Sequence, residues 1–188
     1  QWAQRRGGTT GEVGTRVGTD GSGNVVITGY FLGTTNLGGS DLPSSNGSID
    51  ILLAKYNSSG VHQWSQRFGG DGEDWGAALS VISSGSIFLS GLCGGGTNFG
   101  GGVMPAFGGE DIYVAKFSSA GAHVWSRTMG GTGEDNALTM ALDASTNAVI
   151  GGNYTGFMDL GGAGMPNAGT EDLFVAKFGI AEPAITSI

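Results

Sequence analysis

The sequence predicts an all-β fold made of tandem repeats, and three observations support this prediction. First, one short pattern returns as "WAQRRGG" at Trp2, "WSQRFGG" at Trp64 and "WSRTMGG" at Trp125, at spacings of 62 and 61 residues. Second, each unit contains four short apolar or alternating segments bounded by Gly, Asn, Asp and Ser, which is typical of strands and tight turns. Third, no stretch has a sustained helical period. We therefore expect three tandem repeats over residues 1–179 and a C-terminal tail over 180–188.

The four strands of a unit are clearest in the second repeat, where we expect them at 77–82 ("AALSVI"), 86–92 ("SIFLSGL"), 111–117 ("DIYVAKF") and 123–129 ("HVWSRTM"). The links "SSG" and "SSAG" have the length of hairpin turns, so they predict antiparallel neighbours. The link over 93–110 is long and rich in glycine. Each unit is therefore predicted to form a four-stranded antiparallel sheet.

Four antiparallel strands repeated every 61 or so residues are typical of a β-propeller blade. The ordered motifs "D-x-x-[LF]-V-A-K-[YF]-x-x-x-G-x-x-x-W-S", "GG-x-G-E-D" and "D-x-S-G-N-V-x-x-T-G" resemble the bacterial SBBP-type β-propeller repeats of secreted and cell-surface proteins. The resemblance covers all three units, and its departures include two hairpin turns, "VISSGS" and "DASTN". It implies a propeller fold and a location outside the cell, and it brings no catalytic motif.

The number of units raises the question of ring closure, because propellers close with roughly four to eight blades. Three arrangements remain open: two chains forming a six-bladed ring, a segment of a larger propeller, or a three-fold β structure such as a β-prism or β-trefoil. The chain starts with an outermost strand, "QWAQRR", and ends with a third strand, "DLFVAKF", before the tail. Trp2 would then complete the blade that ends at Phe178, although "AITSI" in the tail offers another outer strand. We predict a homodimer that completes a six-bladed ring.

The composition restricts the partners. With 8 Lys and Arg against 16 Asp and Glu, the net charge is −8, which argues against nucleic acid and anionic membranes as partners. The single cysteine, Cys93, excludes an internal disulfide framework and a cysteine-based zinc site. No apolar run approaches the roughly 20 residues of a membrane helix, so we predict no membrane insertion.

The acidic residues are predicted to gather on one face of the molecule. In an antiparallel blade, the loop entering the first strand and the link between the second and third strands lie at the same end of the sheet. The entry loops contain Glu12, Asp71, Glu73, Asp74, Glu134 and Asp135, and the links contain Asp41, Asp50, Glu110, Asp111, Asp159, Glu171 and Asp172. Thirteen of the 16 acids are therefore expected on this face.

Three interpretations of these acids remain open. Asp74 and Asp135 can accept hydrogen bonds from loop amides, while Asp50, Asp111 and Asp172 anchor the start of each third strand. Calcium is the second interpretation, because it binds six to eight carboxylate and carbonyl oxygens; its candidate ligands are Glu12, Glu73, Asp74, Glu134 and Asp135. The third is a cationic or sugar-bearing partner, with Trp75, Asp50, Asp111 and Asp172 as candidate contacts. Trp75 breaks the repeat, because Val13 and Asn136 hold its place in the other units.

These observations favour a non-catalytic, extracellular or cell-surface module for structural assembly or protein interaction. The alternative is a lectin-like carbohydrate-binding module, with calcium as a possible cofactor. An enzyme is disfavoured, because the acids follow the repeat and no triad or nucleotide-binding motif is present. The tryptophans of the outer strands are expected to pack between blades, and Asn46, Asn57 and Asn153 begin N-x-[ST] sequons.

Overall fold

The computed structural model describes residues 1–44, 48–161 and 164–179, and in these residues it contains strands and no helix. The predicted all-β class is confirmed, while the tail over 180–188 and Asn46 lie outside the described residues. The strands are β1 Glu12–Thr19, β2 Val25–Leu32, β3 Thr34–Thr35, β4 Leu42–Pro43, β5 Ile49–Tyr56, β6 His62–Phe68, β7 Asp74–Val81, β8 Ile87–Cys93, β9 Asp111–Phe117, β10 His123–Gly131, β11 Asp135–Leu142, β12 Ala148–Tyr154, β13 Phe157–Asp159, β14 Met165–Pro166 and β15 Asp172–Phe178.

The strands form three main antiparallel sheets. The first sheet has the order β1-β2-β5-β6, and the second has the order β7-β8-β9-β10. The third sheet contains β11-β12-β15. The long links form two short hairpins that the sequence did not predict, β3-β4 and β13-β14; the latter pairs through β13 with the end of β10.

The expected outer strand around Trp2 is absent from the described residues. Residues 1–8 belong to no strand. A strand needs a hydrogen-bonding partner, and β15, the strand that would have to supply it, pairs with β12 alone in the described part of the chain. Among the described residues the third sheet therefore has three strands, where the first sheet and the β7–β10 part of the second have four.

Apolar side chains pack the sheets against each other. Ile51 and Leu53 of β5 join Ile87 and Leu89 of β8 in the core between the first and second sheets. On its other face, the second sheet contributes Phe88, Ile112 and Val114 to a core that also contains Ile150 and Phe174 of the third. Alternate residues of one strand thus enter different cores, because side chains alternate across a sheet with a period of two.

The first strands of the three sheets lie next to one another. β7 contacts both β1 and β11. Thr15 in β1 donates a hydrogen bond to the carbonyl of Gly76 in β7, and Arg16 Nη2 donates to the carbonyl of Leu138 in β11 over 3.4 Å. The loops that enter these strands therefore emerge close together, which positions the acidic residues.

Candidate functional site

The entry loops contact the neighbouring links through backbone hydrogen bonds. The bonds are Gly94 N to Glu73 O (2.9 Å), Asp135 N to Glu110 O (2.9 Å), Thr155 N to Glu134 O (3.1 Å) and Gly109 N to Gly133 O (3.3 Å). Both kinds of loop therefore meet at one edge of the molecule, as their positions in the sequence predicted. We call the surface formed by Asp71, Glu73, Glu110 and Glu134 the acidic loop face.

Three glutamates of the acidic loop face influence one another. Glu110 is half-buried, while Glu73 and Glu134 are exposed. Burial raises the pKa of Glu110, and the negative charges of Glu73 and Glu134 raise it further. The structure thus brings together carboxylates that are 37 and 24 residues from Glu110 in the chain.

Asp74, Asp135 and Glu12 accept hydrogen bonds within the glycine-rich corners, the loops that lead into β7, β11 and β1. Gly70 N donates to Asp74 Oδ2 over 2.9 Å, Gly131 N donates to Asp135 Oδ2 over 2.7 Å, and Gly8 N donates to Glu12 Oε1 over 2.7 Å. Each carboxylate accepts from the amide four residues earlier. For Asp74 and Asp135 these are the contacts that the hydrogen-bond interpretation predicted, while the contact of Glu12, a calcium candidate, was not predicted.

Asp111 and Asp172 bind loop amides at the start of β9 and β15. Phe107 N donates to Asp111 Oδ2 over 2.7 Å, and Ala168 N donates to Asp172 Oδ2 over 2.5 Å. Asp50 at the start of β5 pairs instead with Arg67, with 3.0 Å between Oδ2 and Nη1. All three aspartates therefore fix the backbone or a neighbouring side chain where the third strand of each unit begins.

Where one sheet packs against the next, two of these carboxylates lie close to the same glycine. We call the place around Gly69, between the first and second sheets, the first junction, and the place around Gly130, between the second and third sheets, the second junction. A Cβ atom at Gly69 would lie 1.9 Å from Asp50 Oδ1 and 3.0 Å from Asp74 Oδ2. At Gly130 it would lie 2.2 Å from Asp111 Oδ1 and 2.7 Å from Asp135 Oδ2. Only a residue without a side chain leaves room for both carboxylates.

Burial and the neighbouring carboxylate change the ionisation of these aspartates. Burial raises the pKa of Asp74 to about 6, and the charge of Asp50 adds to this effect against hydrogen bonds from Thr97 and Gly70. Burial likewise raises the pKa of Asp135 to about 6, with a contribution from Asp111. Both groups are therefore partly protonated just below neutral pH.

The two junctions differ in a way that sequence analysis missed. At the first junction, Arg67 pairs with Asp50, and Thr97 Oγ1 donates to Asp74 Oδ1. Thr128 and Met158 hold the corresponding places at the second junction. Both replacements stand inside the repeated motifs, as "WSQRFGG" against "WSRTMGG" and "TNFGG" against "MDLGG", so a position-by-position comparison of these motifs reveals them.

Trp75 lies between the first and second sheets. Its ring stacks on Tyr30, with 4.4 Å between ring centroids and an interplanar angle of 25°. The indole is half-buried, and Nε1 is buried without a hydrogen-bond acceptor among the described residues. The structure therefore places Trp75 beside the acidic loop face, with one ring face occupied by Tyr30.

The described residues contain no group of three or more His, Cys, Asp or Glu side chains arranged to hold a metal ion. His62 packs edge-on against Tyr56, and His123 packs edge-on against Phe117.

Within the parts of the chain that the structure describes, no helix is long and apolar enough to cross a membrane.

The fold and the site together define an all-β protein of packed antiparallel sheets with an acidic loop face. No protein-family model and no curated protein matches the chain.

Proposed function

We propose that the three sheets are consecutive blades of a β-propeller and that the chain is a non-catalytic, extracellular interaction module. Two features support the propeller arrangement. Adjacent sheets share apolar cores on both faces of the second sheet, and the first strands β1, β7 and β11 lie side by side as they do around a propeller axis. The location outside the cell is supported by the resemblance to secreted and cell-surface repeats.

The acidic loop face is the proposed docking surface, and its partner is a protein with a cationic surface. The single observation that supports this proposal is the approach of Glu73 and Glu134 to Glu110, whose pKa is raised by burial and further by these two negative charges. Mutual repulsion among three carboxylates is relieved when a Lys-rich or Arg-rich surface binds. Net charge of −8 adds long-range attraction for the same partner.

Binding of an Arg-rich and Lys-rich probe peptide, measured by calorimetry at several salt concentrations, tests this proposal. We expect E73Q/E110Q/E134Q to weaken binding about tenfold at low ionic strength and to reduce its salt dependence. The control S22K/S59K/S145K changes the net charge equally at three exposed turn positions outside the loop face. Equal loss of binding in both variants would show that net charge, not this face, attracts the peptide.

A calcium-assisted glycan-binding module is the second candidate, and one observation favours it. Asp111 Oδ1 and Asp135 Oδ1 are buried and accept no hydrogen bond from described residues. Carboxylate oxygens without donors suit a hard cation. Thermal unfolding with calcium and with a chelator tests the metal: a melting temperature that rises with calcium in wild type and not in Asp111→Asn supports it, and equal melting temperatures with and without calcium remove it.

A further inference from the structure

The outward face of the third sheet is exposed where the matching faces of the first and second sheets are covered. Leu173 and Val175 in β15 are 80% and 72% exposed. Their counterparts are fully buried: Ile51 and Leu53 in β5 under the second sheet, Ile112 and Val114 in β9 under the third. The third sheet thus presents the same type of apolar surface with nothing from the described residues packed on it.

The outer edge of β15 is also free within the described residues. β5 pairs with β2 on one side and β6 on the other, and β9 pairs in the same way with β8 and β10. β15 pairs only with β12. Its outward backbone groups therefore have a place for one more antiparallel strand.

The N-terminal segment, residues 1–6, contacts the first sheet in the way that the outer strand of one sheet contacts the next sheet. Among the described residues it pairs with no strand. Trp2 Nε1 donates to the Ser58 carbonyl over 3.1 Å, and Gln4 Nε2 donates to the Gly60 carbonyl over 2.9 Å. In β6, Trp64 donates to the Ser119 carbonyl over 3.4 Å and Gln66 to the Gly121 carbonyl over 3.0 Å.

The match extends to the glycines of the two turns. The Trp2 ring lies over Gly60 and the Trp64 ring lies over Gly121, and both glycines have a positive φ, 82° and 80°. β6 belongs to the first sheet and contacts the turn of the second. The N-terminal segment therefore lies where the outer strand of a sheet preceding the first would lie.

The N-terminal segment and β15 contain oppositely charged residues at matching positions of the repeat. Arg67 in β6 binds the Asp50 carboxylate, and Arg5 occupies the position of Arg67 in the repeat. Asp172 at the start of β15 occupies the position of Asp50. When the register of β5 and β6 is applied, Lys177 lies opposite Trp2 and Ala176 opposite Ala3, which brings Arg5 to the end of β15 that contains Asp172.

We propose that the third sheet binds a second copy of this chain, whose N-terminal segment pairs with β15 as the fourth strand and whose first sheet covers Leu173 and Val175. The proposal rests on the propeller arrangement proposed above and names its partner. In the described part of one chain the segment is fixed to the turn at Ser58–Gly60 of the first sheet and does not pair with β15. With two copies related by a two-fold axis, the N-terminal segment of each would pair with the β15 edge that is unpaired in the described residues of the other, and the six sheets would form a ring.

Disulfide cross-linking tests the pairing. The double variant A3C/A176C places two cysteines opposite each other in the proposed register, at a Cα separation typical of cross-strand pairs and compatible with a disulfide. Under oxidising conditions we expect a covalent species of twice the 18.9 kDa chain mass in a denaturing gel. The control A3C/V124C puts the second cysteine at an exposed position of β10 outside the proposed interface and should not cross-link.

Light scattering of the wild type and of L173D/V175D supplies a second readout that needs no cysteine. We expect wild type at twice the chain mass and L173D/V175D at the mass of one folded chain, with V124D remaining at twice the mass. A disulfide within one chain, or wild type at the mass of one chain at every soluble concentration, would overturn the second-copy pairing. Peptide binding to the acidic loop face has its own assay, so either result leaves that proposal to be judged separately.

Discussion

At the residue scale, Asp74 and Asp135 both stabilise a glycine-rich turn and have a raised pKa. Each accepts a glycine amide, which requires a carboxylate or an amide oxygen at that place. Each is also fully buried beside a second aspartate, which disfavours the ionised form. The same side chains thus fix the glycine corner and make its stability depend on pH.

Stability is expected to fall as the pH rises from about 4 through about 6. The folded-state pKa of Asp74 and of Asp135, about 6, lies above the ordinary aspartate value of 3.8, so in this window the folded state binds more protons than the unfolded state. Their stabilising contribution is complete below pH 4 and is lost above pH 6, and the pKa difference corresponds to about 3 kcal/mol for each group. Urea unfolding across pH 4 to 8 measures the slope.

Asp135→Asn should flatten that slope, because the amide stays neutral and its oxygen can still accept from Gly131. We expect a higher free energy of unfolding than wild type at pH 7.5 and little difference at pH 4. A variant less stable than wild type at pH 7.5 by the same amount as at pH 4 would contradict the burial argument. A loss confined to calcium-containing buffer would favour the metal interpretation instead.

Lys55 and Lys177 hold the same position in two repeats but differ in burial, which predicts different contributions to stability. Lys55 Nζ lies 3.0 Å from Asp20 Oδ2, with the side chains only 8% and 6% exposed. Burial alone would raise the pKa of Asp20, but hydrogen bonds from Asn24 and Lys55 lower it to about 2. Lys177 pairs with Asp143 at a side-chain exposure of 58%.

We expect Lys55→Met to lose about 3 kcal/mol of stability, because it leaves a buried carboxylate without its cation. The matched variant Lys177→Met should lose less than about 1 kcal/mol, because its ion pair is exposed to solvent. Urea unfolding of both variants at pH 7 provides the comparison. Equal losses would show that burial does not distinguish the two ion pairs.

At the scale of the elements, the glycine corners are the most sensitive points of the chain. A methyl group at Gly69 would overlap Oδ1 of Asp50, whose side chain is fully buried. We expect Gly69→Ala to lose at least about 2 kcal/mol. Gly95→Ala is the control, because a Cβ there meets no atom within 4 Å, and its stability should change by less than about 1 kcal/mol. Thermal unfolding distinguishes the two; equal effects would contradict the close-approach argument.

The strands were predictable from sequence, because alternation and turn residues determine them locally. "DIYVAKF" and "HVWSRTM" were expected at 111–117 and 123–129 and are observed at Asp111–Phe117 and His123–Gly131. The first strand of that unit begins at Asp74, three residues earlier than expected, since the corner residues already pair with β8. The N-terminal segment shows the limit: its sequence matches a strand, but strand formation depends on a partner.

The site was predictable only in part, for a related reason. The position of the entry loops and links followed from the antiparallel order, so the acidic loop face could be inferred. The stacking of Trp75 on Tyr30 and the approach of carboxylates around Gly69 depend on how one sheet packs on the next. No local pattern specifies that distance.

At the scale of the whole molecule, the chain presents two complementary ends. One end offers a docked segment with Trp2 and Arg5, and the other offers the edge of β15, with Asp172, that is unpaired among the described residues. The contacts that the first sheet makes with the second, and the second with the third, define the geometry in which two copies would meet. Closure would bury Leu173 and Val175 and leave the acidic loop face on one side of the ring.

Single-particle electron microscopy of the purified wild-type chain tests this account most directly. We predict projections along the ring axis with six similar lobes around a central channel, contributed by two chains. Particles with three lobes, or open arcs with an exposed third sheet, would contradict it.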